Sequence, residues 1–172
     1  GVGTSLEFRL HPVENIVGGP IFVELDAAAD IMDFYRQYIA QAPEELGAFF
    51  MFQIAPPLPF IPEERHGETL CGVVTCWTGR ECDAAAVLKP LRDAGPVVAE
   101  HVGPMPYPAL NSAFDALVPP GLQQYWKADY VKELTDDAIP LHVEHGSKVP
   151  TVNSLMHLYP IDGAVQRVRP DE

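Results

Sequence analysis

The stretch Leu46-Gly47-Ala48-Phe49-Phe50-Met51-Phe52-Gln53-Ile54 decides the fold. Both of its parities are mostly apolar: Ala48, Phe50, Phe52 and Ile54 line one, Phe49, Met51 and Gln53 the other. Successive side chains of a strand point to opposite faces, so this reads as a strand covered on both sides. Upstream, residues 4–10 alternate Leu6, Phe8 and Leu10 against Ser5, Glu7 and Arg9, which predicts a half-buried strand ended by His11-Pro12. Residues 16–25 give a second extended stretch, kinked or bulged at Gly18-Gly19-Pro20. Then the period changes. Leu25, Ala28, Met32, Tyr35 and Ile39 fall at helical spacing, with Asp26 placed to cap the first turn and Pro43 to close the helix.

Downstream, Pro56-Pro57-Leu58-Pro59-Phe60-Ile61-Pro62 is a polyproline-like connection. Residues 69–77 form a strand rich in Val, Thr and Cys. Residues 80–91 form a helix with Ala85, Leu88 and Leu91 on its apolar side, shortened by Pro90, and residues 97–102 form another strand. That order, β-α-β-β-α-β, is the ferredoxin-like plan. A loop at 103–108 and a short helix at 110–117 follow, and Pro119-Pro120-Gly121 breaks the chain. Residues 123–131 then read as a strand, 135–146 as a helix, and 153–159 with 164–168 as a terminal hairpin. The second half is thus β-α-β-β, an incomplete copy of the first. The expected class is α+β, an antiparallel sheet with helices packed on one face. Because the strands are apolar on both sides, the bare face calls for cover from outside this chain.

With 172 residues there is room for one domain, or one domain plus arms. A hydrophobic share of 47% against 20% charged argues against disorder for the bulk of the chain. Lys+Arg is 11 against Asp+Glu 24, a formal net charge of -13. That balance argues against nucleic acid and against anionic membrane surfaces as partners. Cys71, Cys76 and Cys82 are odd in number and have no metal-like spacing, so a reducing cytoplasm is the expected compartment. No apolar run approaches the length of a membrane span. The opening Gly1-Val2-Gly3-Thr4 and the closing Arg169-Pro170-Asp171-Glu172 read as cuts through a larger protein.

Taken in order, several short motifs resemble one family. Residues 1–13, Gly-Val-Gly-Thr-Ser-Leu-Glu-Phe-Arg-Leu-His-Pro-Val, resemble the tail of a Gly-Gly-Asn-Phe-Gly-Val-x-Thr-x-x-Glu-Phe segment. Gly18-Gly19-Pro20-Ile21-Phe22, Phe34-Tyr35-Arg36, Pro43-Glu44-Glu45-Leu46 and Leu88-Lys89-Pro90-Leu91-Arg92 follow. Gly103-Pro104-Met105-Pro106-Tyr107, Tyr125-Trp126-Lys127 and Asp162-Gly163-Ala164-Val165 complete the series. Together they resemble berberine-bridge-enzyme-like FAD-linked oxidoreductases of the vanillyl-alcohol-oxidase superfamily. The resemblance implies that residues 1–13 end an FAD-binding domain and that residues 14–172 are a substrate-binding domain, incomplete at its C-terminus. It further implies that the sheet face without helices roofs the flavin and forms the substrate pocket. Of the flavin-contacting motifs only Gly1 and Val2 have counterparts here. The family's phosphate-cradling loop and its FAD-tethering His and Cys have none. The chain alone is therefore expected neither to hold FAD nor to turn over substrate, and its expected partners are the missing FAD-binding domain and a small-molecule substrate.

Within that frame, strand alternation puts Tyr125, Lys127 and Asp129 on the pocket side and Trp126, Ala128 and Tyr130 under the helices. Leu155, His157 and Tyr159 share a face, and the resemblance places pocket residues, a general base among them, on this hairpin. A His near its ordinary pKa of about 6.5 suits that work, and a Tyr does only if its pKa is lowered. His157 and Tyr159 are therefore the catalytic candidates. Gln53, polar on a covered strand face, and Tyr107, in a Pro-rigidified loop, join the substrate-binding candidates. His142 and His145 flank Glu144 in the wrong order for a His-Glu-x-x-His metal motif and read as a solvated helix face. Cys82 begins a helix and is given no role. A different class of reading is a free-standing ferredoxin-like module whose bare sheet face is covered by a second copy, with a small ligand between. Either reading expects the isolated chain to self-associate through an uncovered face.

Overall fold

The computed structural model describes residues 2–8, 12–13 and 15–167. Strand β1 (Ile16–Val23) leads through a 3-10 turn at Leu25–Ala27 into helix α1 (Ala28–Ile39). Strands β2 (Leu46–Ile54) and β3 (Thr69–Trp77), helix α2 (Glu81–Asp93) and strand β4 (Val97–Glu100) complete the β-α-β-β-α-β order expected. Then come β5 (Gly103–Met105), α3 (Tyr107–Ser112), α4 (Ala138–Gly146) and β6 (Leu155–Leu158). The sheet runs β4-β1-β3-β2-β6, with β5 also on β1, and its pairs are antiparallel. This is the α+β architecture.

One face of the sheet carries the helices. Ala28, Ile31, Met32 and Tyr35, spaced as one helical stripe of α1, pack with Ala84, Leu88 and Leu91 of α2 and Ile139 of α4 on Ile21, Ala48, Phe50, Phe52 and Val73. Each such large apolar side chain contributes about 1.5–3 kcal/mol on burial. Tyr35 donates its hydroxyl to the Ala48 carbonyl at 2.9 Å, and Tyr38 donates to the Val87 carbonyl, tying α1 to the sheet and to α2. The helix α4 ends at Gly146, where a Cβ would meet the Phe52 ring at 2.3 Å. Pro90 does not shorten α2. The helix runs through it to Asp93, because Leu88 and Leu91 on either side are core residues whose burial offsets the lost backbone bond. The buried alanine of that face is Ala84, not Ala85. Asp26 makes no side-chain cap either: α1 follows a 3-10 turn and starts from Ala27.

The other face is not bare. Phe22, Met51, Leu70, Val74 and Ala99 form a second core there, and the chain covers part of it with Ala55, Phe60 and Ile61 of the proline-rich connection and with Phe114. Phe60 stacks on His101 at 4.9 Å. Arg65 clamps the end of that connection, donating to both carboxylate oxygens of Glu24 at 2.7 Å and to Glu68. The expected single strand at 97–102 is two, β4 and β5, both on β1. They break at His101-Val102, opposite Gly19, whose φ of 132° and closeness to the His101 carbonyl admit no side chain.

The second half departs from its expected copy of the first. Residues 123–131 are not a strand: all are exposed, and Trp126 and Tyr130, expected under the helices, are 74% and 81% exposed. The reason lies in their pattern, since Tyr125-Lys127-Asp129 and Trp126-Ala128-Tyr130 both mix polar with apolar groups and neither selects a buried face. The closing hairpin is absent too. Residues Gly163–Arg167 form a 3-10 turn beginning at a glycine with φ of 57°, and Val168 lies outside the described residues. Residues 4–8 are exposed and without strand structure, while Arg9, Leu10 and His11 of that expected strand lie outside the described residues.

Candidate functional site

Among the described residues β6 is an edge strand paired with β2 alone, in a register that sets Met51 opposite His157 and Gln53 opposite Leu155. His157 therefore shares the parity of Phe49, Met51 and Gln53, on the face away from the helices. Tyr159 follows the end of β6 and lies on Phe49, their ring centroids 4.7 Å apart. The His157 ring is 4.9 Å from Phe49, and the Phe114 ring is 6.4 Å from Phe49. The result is an aromatic nest at the β6 edge of this sheet face.

Inside it, His157 Nδ1 and the Tyr159 hydroxyl are 2.8 Å apart, with the rings edge to face. Burial lowers the His157 pKa below its ordinary value and raises that of Tyr159. Both groups are then uncharged near neutral pH. The hydrogen-bond direction is assigned from acidity: the phenol, the stronger acid, donates to Nδ1, which leaves the ring proton on Nε2. With its pKa raised rather than lowered, the Tyr159 phenol is no base by itself; it can act only as a relay, accepting a proton at its oxygen while passing its own to the imidazole.

The structure thus brings His157 and Tyr159 into direct contact and sets Gln53, 2% exposed, on the same face. It does not gather the other candidates. Tyr125 is 90% exposed, Lys127 and Asp129 are exposed beside it, and the strand on which their facing was reasoned is not present. Tyr107 opens α3, half exposed. Val2 is exposed, and Gly1 lies outside the described residues. Phe49 and Phe114 are site residues that the sequence reading did not name. Phe49 was legible through its shared parity with Gln53, whereas Phe114 sits just before a 3-10 turn and carries no periodic signal.

Elsewhere, burial pushes the Cys71 thiol up to about 12, so it is an inert core group, while Cys82 is exposed. His142 donates Nδ1–H to the Ala138 carbonyl of its own helix at 2.7 Å. Among the described residues, no group of three or more His, Cys, Asp or Glu is placed to hold a metal ion, and no helix is long and apolar enough to cross a membrane. A hollow of about 440 Å³ lies between Arg36 and the acidic residues Glu133, Asp136 and Asp137. Another of about 280 Å³ lies at the end of α1 beside Glu44 and Asp162. Neither includes the aromatic nest. The glycines of positive φ, Gly19, Gly67, Gly121 and Gly163, are scattered along the chain. Among the described residues these four glycines are not grouped in one Gly-rich loop of the kind that cradles phosphates.

No protein-family model matches the chain. It is similar to an FAD-linked oxidoreductase of Dictyostelium discoideum, 24% identical over 177 residues, an alignment that takes in 100% of this chain and 36% of that protein. The chain therefore spans about a third of the length of that relative, and the likeness, at this identity, reaches no further than a distant relationship to an FAD-linked oxidoreductase.

Proposed function

We propose that the chain is the substrate-binding part of an FAD-linked oxidoreductase that oxidises an alcohol- or amine-bearing carbon. In this reading residues 1–13 finish an FAD-binding domain and residues 14–172 belong to the substrate-binding domain. The observation that carries the reading is the His157–Tyr159 couple on the sheet face away from the helices. The name of the relative, and its coverage of this chain from end to end, support it. FAD would be held by sequence outside this chain, and when bound it supplies the acceptor for the hydride. This chain's own work is proton handling, orientation and exclusion of water. As hydride leaves the substrate carbon, the O–H or N–H proton passes to Tyr159 Oη, and the phenol's proton passes to His157 Nδ1. The substrate has then lost a proton and a hydride, a two-electron oxidation, and the imidazole carries the positive charge. Phe49 and Phe114 floor the site, and Gln53, opposite Leu155 in the ladder, is a neutral polar group further along the same face.

The partners implied are the rest of the same polypeptide and a small-molecule substrate. The test is the visible absorption spectrum of the protein made from its complete reading frame. A flavin spectrum that bleaches with substrate is expected, with turnover about 10²–10⁴-fold lower in Tyr159→Phe and His157→Gln at unchanged flavin content. A colourless protein overturns the proposal and leaves the self-associating small-ligand module in its place.

A further inference from the structure

We propose that Phe49 is a positioning residue for the His157–Tyr159 couple, its ring being the seat that holds the tyrosine oxygen on Nδ1. The catalytic meaning of this inference rests on the function proposed above; its geometry does not. The β2–β6 ladder ends at Phe50 opposite Leu158, so strand pairing does not fix Tyr159. The Tyr159 residue is 62% exposed, and a hydrogen bond in so open a place competes with water. What the phenol also has is the Phe49 ring at 4.7 Å, and that ring meets His157 at 4.9 Å, both within the range of aromatic contact. One side chain thus touches both members of the couple. Phe49 is itself held, through the pairing of β2 with β3 at Phe49 and Val74 and through Phe114. An aliphatic side chain would fill the same space without offering two rings a flat partner.

The test is an NMR titration of His157 in the 172-residue chain, in a cycle of Tyr159→Phe with Phe49→Leu. A phenol donating to the neutral imidazole favours the neutral form, so Tyr159→Phe is expected to raise the His157 midpoint by about half a pH unit. In the Phe49→Leu background the same substitution is expected to leave the midpoint unchanged, because the hydroxyl no longer rests on Nδ1. Phe49→Tyr, which keeps a ring, should restore the difference. If Phe49→Leu does not give a native-like spectrum, Phe49→Met, closer in volume, takes its place in the cycle. An equal effect of Tyr159→Phe in both backgrounds overturns the proposal, as does no effect in either. The titration needs no flavin, so it stands or fails separately from the absorption test of the oxidoreductase reading.

Discussion

Phe50 and Phe49 are neighbours on one strand, yet they live in different surroundings. Phe50 is fully buried under α1, within 6.1 Å of the Tyr35 ring, in a core assembled from three helices. Phe49 is half-buried, under a histidine and a tyrosine from the sheet edge and a phenylalanine from a short turn. The helix side is closed by helices whose own apolar residues pack on the sheet. The other side is closed by a proline-rich connection and by Phe114 ahead of a 3-10 turn, which pack with Met51 and Val74 but leave Tyr159 reaching into solvent. Binding chemistry tends to sit where irregular segments meet a rigid scaffold, and this sheet divides along that line.

The sharpest way to break that division is to truncate the two phenylalanines. Phe50→Ala should cost about 3–5 kcal/mol, a full core cavity, while Phe49→Ala should cost about half as much or less. Urea unfolding of both variants checks this, and equal losses would mean that the two faces are equally closed. Next in size is Tyr35→Phe, which removes the buried bond to the Ala48 carbonyl and should cost about 1–2 kcal/mol while leaving the His157 titration unmoved.

How much of this was legible in the sequence follows the same line. The β-α-β-β-α-β order, the two-sided β2 and the helix stripe from Ala28 to Tyr35 could all be read, because each is a local pattern with one period. Gly19 takes a positive φ, but β1 pairs with β3 in unbroken register through Gly18-Gly19-Pro20, and the register shift falls instead at Phe22/Val23 against β4. The face of His157 could be read as well, since strand parity carries it, whereas Tyr159 lies past the end of β6 and owes its place to contacts with His157 and Phe49. The second half resisted. Residues 123–131 have β-forming aromatics but no one-sided pattern, and whether such a segment pairs depends on a free edge elsewhere, which sequence spacing does not report. The covering of the second face by Phe60, Ile61 and Phe114 escaped for a related reason. Those residues sit in turns, and their contacts are made by tertiary placement alone.

The pH dependence of stability sharpens the comparison further. Because burial depresses the folded-state pKa of His157 below its unfolded value of about 6.5, the unfolded chain binds the proton more readily. Stability should therefore be full above that unfolded value and fall as pH drops through the folded one. The paired carboxylates Glu24, Glu44 and Glu144, whose pKa values are lowered by Arg65, Arg167 and Lys148, lose stability only at still lower pH, below their ordinary 4.5. Denaturation midpoints at about pH 7.5 and about pH 5.5 should thus differ by less in His157→Gln than in the unaltered chain. An unchanged difference would place the titrating group elsewhere.

The smallest expected effect belongs to the largest exposed side chain. Trp126, 74% exposed, donates Nε1–H only to Gln124, two residues away, at 3.2 Å. Trp126→Ala should change the stability of the 172-residue chain by no more than about 0.5 kcal/mol, as exposed positions do. The value of the measurement lies in its contrast with Phe49 and Phe50, large aromatics that do sit in a paired strand. If burial by the chain's own elements sets the energetic weight of an aromatic, the three should rank Phe50, Phe49, Trp126. A loss from Trp126→Ala of the size expected for Phe49→Ala would show that residues 122–131 are packed on the body in solution, and the division between a covered and an open half would have to be redrawn.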